Sequence, residues 1–142
     1  MSTKNKAVQK FSFGAAPKDF KKTISIIDVL GGETTIDFTF IYRTKKQFAE
    51  LADEGIAKAK AAQKAAESEK GDGETPDNFF SDLYAKNDEF HANYVLKIAS
   101  GWELPDDFTK SNLLRLENDN AGALVAISRA YAGAIAEARV KN

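Results

Sequence analysis

TISIIDVLGGETTIDFTFIY, residues 23–42, is the most strongly patterned stretch of this sequence. Its first part, residues 23–29, is rich in β-branched side chains, and Gly31-Gly32 interrupts the run. From Ile36 to Tyr42, apolar side chains then alternate with Thr and Asp. A period of two places alternate residues on one face of a strand, and two glycines suit a hairpin turn. The stretch therefore predicts an antiparallel β-hairpin with one buried face.

The segment that precedes the hairpin leaves the number of strands open. Phe11 and Phe13 alternate with polar residues, so residues 11–13 are a candidate third strand. The expected fold class is α+β: an N-terminal hairpin or three-stranded sheet packed against about four helices. At 142 residues the chain fits a single domain, 1–142. We expect disorder in residues 1–9, the sheet in 10–43 and the helical part in 44–142.

Helical periodicity follows the hairpin. Thr44 and Gln47 form a capping box, which predicts a first helix from residue 44 to about Ser68. Its distal part, residues 57–66, has only alanine to bury. The second helix is expected to start at Thr75-Pro76 and to close near Ser100-Gly101, and a short third helix surrounds residues 113–116. The last helix is expected from residue 121 to about 138, capped by residues 118–120.

The apolar positions of these elements predict one hydrophobic core. In the second helix, a single stripe runs from Phe80 through Leu83 and His91 to Ile98. The predicted core residues are Ile36, Phe38, Phe40, Tyr42, Phe48, Leu51, Ile56, Leu83, Tyr94, Ile98, Trp102, Leu113, Leu124, Ile127 and Tyr131.

Composition argues against most kinds of chemistry. The chain has no Cys, and His91 is its one histidine, placed within the apolar stripe. Metal and nucleophile motifs need such residues at fixed spacings, so we predict no catalytic, cofactor-binding or metal residues. No apolar run approaches the length of a membrane span. The net charge is −1, and the Lys-rich start holds no Arg, which argues against nucleic-acid binding.

Aromatic residues outside the main stripe are the candidate partner-binding residues. Phe79 and Phe90 are eleven positions apart and project at nearly the same angle from the second helix. Two interpretations remain open: a wide buried face, or an exposed patch that a partner covers. Trp102 and Phe108 are further candidates, although such residues belong more often to the core.

The order of several elements is itself informative. Phe38-Thr39-Phe40-Ile41-Tyr42-Arg43-Thr44-Lys45 precedes Gly101-Trp102-Glu103-Leu104, and the chain closes with Ala130-Tyr131 and Ala138-Arg139-Val140-Lys141-Asn142. Over residues 11–142 this order resembles the tail assembly chaperone family of siphophages and prophages. The Gly-Trp and Ala-Arg-x-Lys-Asn elements are the more specific ones.

The resemblance implies a function that composition alone does not. Proteins of that family bind the phage tape measure protein, keep it soluble and assist assembly of the tail-tube protein around it. It implies action in the host bacterial cytoplasm without catalysis, and it leaves a homo-oligomer open. Two alternatives remain: a structural tail or tail-completion protein of a phage or prophage, and a small ligand-binding domain.

Overall fold

The computed structural model describes residues 10–14, 18–68 and 77–136. Within these ranges it has three strands and four helices in an α+β arrangement, and the third strand lies between the second and third helices. In chain order the elements are β1 (Asp19–Ile27), β2 (Glu33–Ile41), α1 (Lys45–Ser68), α2 (Phe79–Ile98), β3 (Ala99–Trp102), α3 (Lys110–Asp119) and α4 (Ala123–Ala136).

The predicted hairpin is confirmed as β1 and β2. The two strands pair antiparallel with Ile24 opposite Ile36, and β1 begins four residues before the predicted strand. At the turn, the Asp28 carboxylate accepts hydrogen bonds from the backbone amides of Leu30 (2.9 Å) and Gly32 (2.8 Å). Gly31 has a φ of +85°, a conformation that glycine adopts without steric cost.

The third strand is not the one expected from the sequence. Residues 11–13 lie outside any strand, whereas β3 pairs antiparallel with the other edge of β2, with Phe38 opposite Trp102. The sheet order is therefore β1-β2-β3. Helix α2 ends at Ile98, two residues before the expected close near Ser100-Gly101, because the backbone becomes extended at Ala99 (φ −127°, ψ 146°).

Side-chain hydrogen bonds cap the starts of α1 and α4. The reciprocal capping box is confirmed. The Gln47 backbone amide donates to Thr44 Oγ1 (3.2 Å), and the Thr44 backbone amide donates to the side-chain oxygen Oε1 of Gln47 (2.9 Å). The predicted cap of α4 at residues 118–120 is wrong. Instead, Glu117 of α3 accepts from the backbone amides of Gly122 (2.7 Å) and Leu124 (3.0 Å). This carboxylate satisfies free amide donors at the start of α4.

Some predictions lie outside the described residues. They are disorder in residues 1–9, the helix start at Thr75-Pro76 and the helix end near residue 138. Helix α2 begins at Phe79, and the residue before it, Asn78, has a left-handed backbone (φ 63°).

The core forms where the inner face of the sheet meets α2, α3 and α4. Tyr131 of α4 is fully buried, and its ring lies 5.3 Å from that of Phe40 and 5.9 Å from that of Phe48. The Tyr131 hydroxyl donates to the Ile41 carbonyl (2.8 Å) and accepts from Arg43 (3.1 Å). Arg43 also donates to the carbonyl of Lys97 (2.9 Å), so it joins β2 to the end of α2.

Most of the predicted core is confirmed, with two errors. Ile56 and Leu83 are 55% and 49% exposed, because they lie on parts of α1 and α2 that no other described element covers. Phe48, Tyr94 and Trp102 are half-buried and pack against the core, and Tyr42 is also half-buried. The sequence-based core omitted several small or aliphatic residues that are buried: Ile24, Ile26, Ala92, Val95, Ala99 and Ala123.

Candidate partner-binding surface

Helix α2 changes environment along its length. Ala92, Val95 and Ile98 are completely buried against the rest of the core. By contrast, every residue from 79 to 87 is exposed. The apolar stripe predicted for α2 therefore continues beyond the core that covers it.

We call the exposed large apolar side chains of this helix the α2 patch. The rings of Phe79 and Phe80 meet edge to face with centroids 5.3 Å apart. Monomeric proteins rarely leave several large apolar side chains together in water unless a partner covers them. The members of the α2 patch are Phe79, Phe80, Leu83, Tyr84 and Phe90.

The two aromatic candidates on α2 lie at the margin of exposure. Phe79 is 39% exposed and Phe90 is 36% exposed, so neither is a core residue and neither is fully solvated. Phe90 packs edge to face against His91, with ring centroids 5.6 Å apart. The partner-binding role of these two residues stays a prediction.

The other two aromatic candidates occupy a different cluster. Trp102 and Phe108 meet edge to face at 5.3 Å, and their rings lie 5.9 and 6.4 Å from the buried ring of Phe38. The Trp102 indole nitrogen donates to the Asp106 carbonyl (2.7 Å). Both side chains are half-buried, so they support the sheet and leave only their outer edges for contact.

A groove between α1 and α2 was not identified from the sequence. It has a volume of about 80 Å³, with buried Leu51 beneath it and Gly55 on one wall. We call it the α1–α2 groove; its lining residues are Leu51, Gly55 and Lys58 of α1 and Phe90, Asn93, Tyr94 and Lys97 of α2. A glycine in the middle of a predicted helix was the available sequence signal.

The electrostatics of this groove are unusual for an apolar surface. Lys58 and Lys97 lie side by side, and the Lys97 ammonium group lowers the pKa of Lys58. Glu54 lies 3.6 Å from Lys97 and compensates part of this positive charge. Burial raises the pKa of the Tyr94 hydroxyl on the wall of the groove. The groove therefore combines an apolar base with a cationic rim.

The tip of the hairpin is a second apolar surface that sequence reasoning missed. Val29 and Leu30 are fully exposed, and Ile27 beside them is 67% exposed. The Asp28 hydrogen bonds hold this turn in one conformation. The available signal was an apolar pair placed directly before Gly31-Gly32 in a turn.

The described residues offer no constellation for catalysis. His91 is half-buried beside Phe90 and near Asp88, where burial and, to a smaller extent, Glu117 raise the pKa of the Asp88 carboxyl. In residues 10–14, 18–68 and 77–136, no three His, Asp or Glu side chains lie together as metal ligands. Among the same residues, no helix is long and apolar enough to cross a membrane. The arrangement suits the binding of apolar surfaces.

The sequence was also compared with known protein families and proteins. A model of the phage tail assembly chaperone family matches residues 7–142. The chain belongs to this family. The resemblance drawn from the sequence is thereby confirmed, and membership implies partners among phage tail proteins. Chaperones of this family typically act without catalysis. Neither a curated protein nor a solved structure matches the chain.

Proposed function

We propose that this chaperone binds apolar helical segments of the phage tape measure protein and keeps them soluble in the host bacterial cytoplasm while tail-tube subunits assemble around them. It does so by reversible contact, and no bond is made or broken. The observation that carries the proposal is the α2 patch, where five large apolar side chains of one helix face solvent.

The energetics of such a contact suit a chaperone. Fully burying a Phe or Leu side chain contributes on the order of 1.5–3 kcal/mol, and side chains that are already half-covered contribute less. Part of that gain is offset by the entropy lost on association. A few such side chains therefore support a contact that forms and dissociates readily. A helix with an apolar face is a common partner for a surface of this kind.

Co-expression with the tape measure protein tests the proposal. The wild-type chain is expected to increase the soluble fraction of that protein and to be recovered with it in a pull-down. The double variant Phe79→Ser/Phe90→Ser is expected to recover much less of it, with nearly unchanged thermal stability. The matched control is Val29→Ser/Leu30→Ser, which removes two exposed apolar side chains from the hairpin tip.

Three results would contradict the proposal in different ways. If the wild-type chain neither binds nor solubilises the tape measure protein, that protein is not its client. If the Phe79/Phe90 variant unfolds, those rings belong to the core. If purified virions retain the chain in stoichiometric amounts, it is a structural tail protein, which is the main alternative.

A further inference from the structure

Gly55 lies in the interior of α1, where glycine is unfavourable. Its φ is not positive, so the backbone at this position is compatible with any L-residue. A Cβ atom built there would meet nothing within 4 Å. Glycine in a helix interior lowers stability relative to alanine because it loses more backbone entropy on folding. Neither conformation nor internal packing among the described residues accounts for a glycine here.

The position of Gly55 in the groove explains why a glycine occurs in the interior of α1. The residue lines the α1–α2 groove, opposite Phe90 and Tyr94 of α2. A missing side chain keeps this groove open and lets another molecule approach the α1 backbone closely. The groove volume of about 80 Å³ exceeds the roughly 10–15 Å³ that one water molecule needs, so there is room for part of a side chain.

The charged rim of the groove places a second requirement on the ligand. Lys58 and Lys97 are neighbouring cations, and in the free protein their mutual repulsion is only partly relieved by Glu54. An anionic group placed between them would relieve this repulsion. The apolar base of the groove, with Leu51 buried beneath it, would be left uncovered by a small inorganic anion. The complementary ligand therefore has an apolar part and a negative charge.

We propose that the α1–α2 groove receives a helix of the client that places an apolar side chain against Gly55 and, about one turn away, a carboxylate between Lys58 and Lys97. This deepens the proposed function, on which it rests for the identity of the client. The carboxylate gives the contact a register and a direction, which the α2 patch alone does not.

Variants at Gly55 separate binding from folding. Gly55→Ala is expected to raise Tm by about 2 °C, because alanine is the better helix former and its Cβ has space. Gly55→Leu fills the groove and is expected to weaken client binding about tenfold without loss of stability. The matched control is Ala57→Leu, which adds the same side chain to α1 at about 200° from Gly55.

Exchanging the charges of the peptide and of Lys58 tests whether the cationic rim of the groove binds a carboxylate. The probes are synthetic 25-residue peptides that cover the helices of the tape measure protein, with binding measured by fluorescence anisotropy. For the peptide that binds best, replacing its groove-facing Glu or Asp by Lys is expected to weaken binding about fivefold. Lys58→Glu is expected to bind the Lys peptide better than the original peptide. In the free protein this variant replaces the repulsion between Lys58 and Lys97 by an attraction, but it also places a second carboxylate four residues from Glu54. The two changes oppose each other, so its Tm is expected to change little.

The outcomes of these experiments distinguish a failure of the groove proposal from a failure of the proposed function. If no peptide binds the wild-type chain, the proposed function itself fails. If peptides bind but Gly55→Leu binds them as tightly as Ala57→Leu does, the groove is not the site. If Gly55→Leu weakens binding while every acidic residue of the peptide can be replaced without effect, the groove takes an apolar side chain only, and the carboxylate part of the proposal is wrong.

Discussion

The two halves of α2 carry similar side chains in different surroundings. In the C-terminal half, Val95 and Ile98 are completely buried under the sheet, α3 and α4. In the N-terminal half, Phe80 is 67% exposed although it lies on the same helical stripe as Ile98. The comparison shows that an amphipathic pattern identifies which residues share a face. Whether that face is covered depends on the rest of the fold.

Helix α1 divides in the same way. Leu51 is buried, whereas residues 56–67 are exposed, and α1 contacts the rest of the core mainly through α4. The exposed parts of α1 and α2 lie on either side of residues 69–76 in the sequence. The large apolar side chains that are exposed on these two helices therefore lie on the parts that extend beyond the core. Changes there are expected to alter binding, and changes in the core are expected to alter stability.

The largest expected effect comes from truncating one aliphatic residue in each half of α2. Ile98→Ala removes buried methyl groups and leaves a cavity, so we expect a loss of about 2–5 kcal/mol in the free energy of unfolding. Leu83→Ala is the matched variant, because Leu83 is 49% exposed. It is expected to cost less than about 1 kcal/mol. Urea denaturation followed by circular dichroism measures both.

Equal losses in the free energy of unfolding for Ile98→Ala and Leu83→Ala would contradict the difference between the two halves of α2. They would mean that the N-terminal half of α2 is covered in solution, for example by self-association. Repeating the Leu83→Ala measurement over a range of protein concentrations separates these cases, because the stability of an associated form depends on concentration.

A smaller effect is expected at the hydrogen bonds of Tyr131, which lie beside the buried end of α2 because Arg43 bonds both the Tyr131 hydroxyl and the Lys97 carbonyl. Tyr131→Phe removes the hydroxyl that donates to the Ile41 carbonyl and accepts from Arg43. Two groups then lose a partner inside the protein, so we expect a loss of about 1–2 kcal/mol. Tyr84→Phe is the control, since Tyr84 is 64% exposed on the other half of α2. A similar loss in both variants would show that the hydroxyl bonds of Tyr131 do not contribute.

The sequence predicted those parts of the fold that depend on local pattern. The hairpin followed from a period of two and a glycine turn, and the α1 start followed from the Thr44–Gln47 capping box. Strand β3 was missed because it is four residues long and pairs with β2 from far away in the sequence. Directly after a helix, Ser100-Gly101 is typical of a helix end, and the pairing partner that makes it a strand is not local information.

The candidate site was only partly predictable for the same reason. The spacing of Phe79 and Phe90 placed both on one side of α2, but the exposure of Leu83 and Phe80 depends on which elements fail to cover them. The α1–α2 groove brings together residues from two helices, and their relation is tertiary. Ring contacts place Trp102 and Phe108 beside Phe38, so only the structure separates them from the α2 patch.

The smallest expected effect concerns the ion pair where the two halves of α2 meet. Lys110 of α3 lies 2.7 Å from Glu89, and its ammonium group donates a hydrogen bond that lowers the pKa of Glu89 below the ordinary value of 4.5. A carboxylate with a lowered pKa stabilises the folded state above the unfolded pKa, and this contribution is lost as pH falls through the folded value. Both side chains are partly exposed to solvent, so the contribution is small.

Glu89→Gln is expected to lower Tm slightly at pH 7 and by less at pH 3, because the stabilising contribution of Glu89 decreases as pH falls towards its lowered pKa. In a Lys110→Met background the same substitution is expected to have no effect at either pH. If Glu89→Gln lowers Tm equally at pH 7 and pH 3, the side chain acts through packing, and the ion pair does not help to hold this point of α2 against α3.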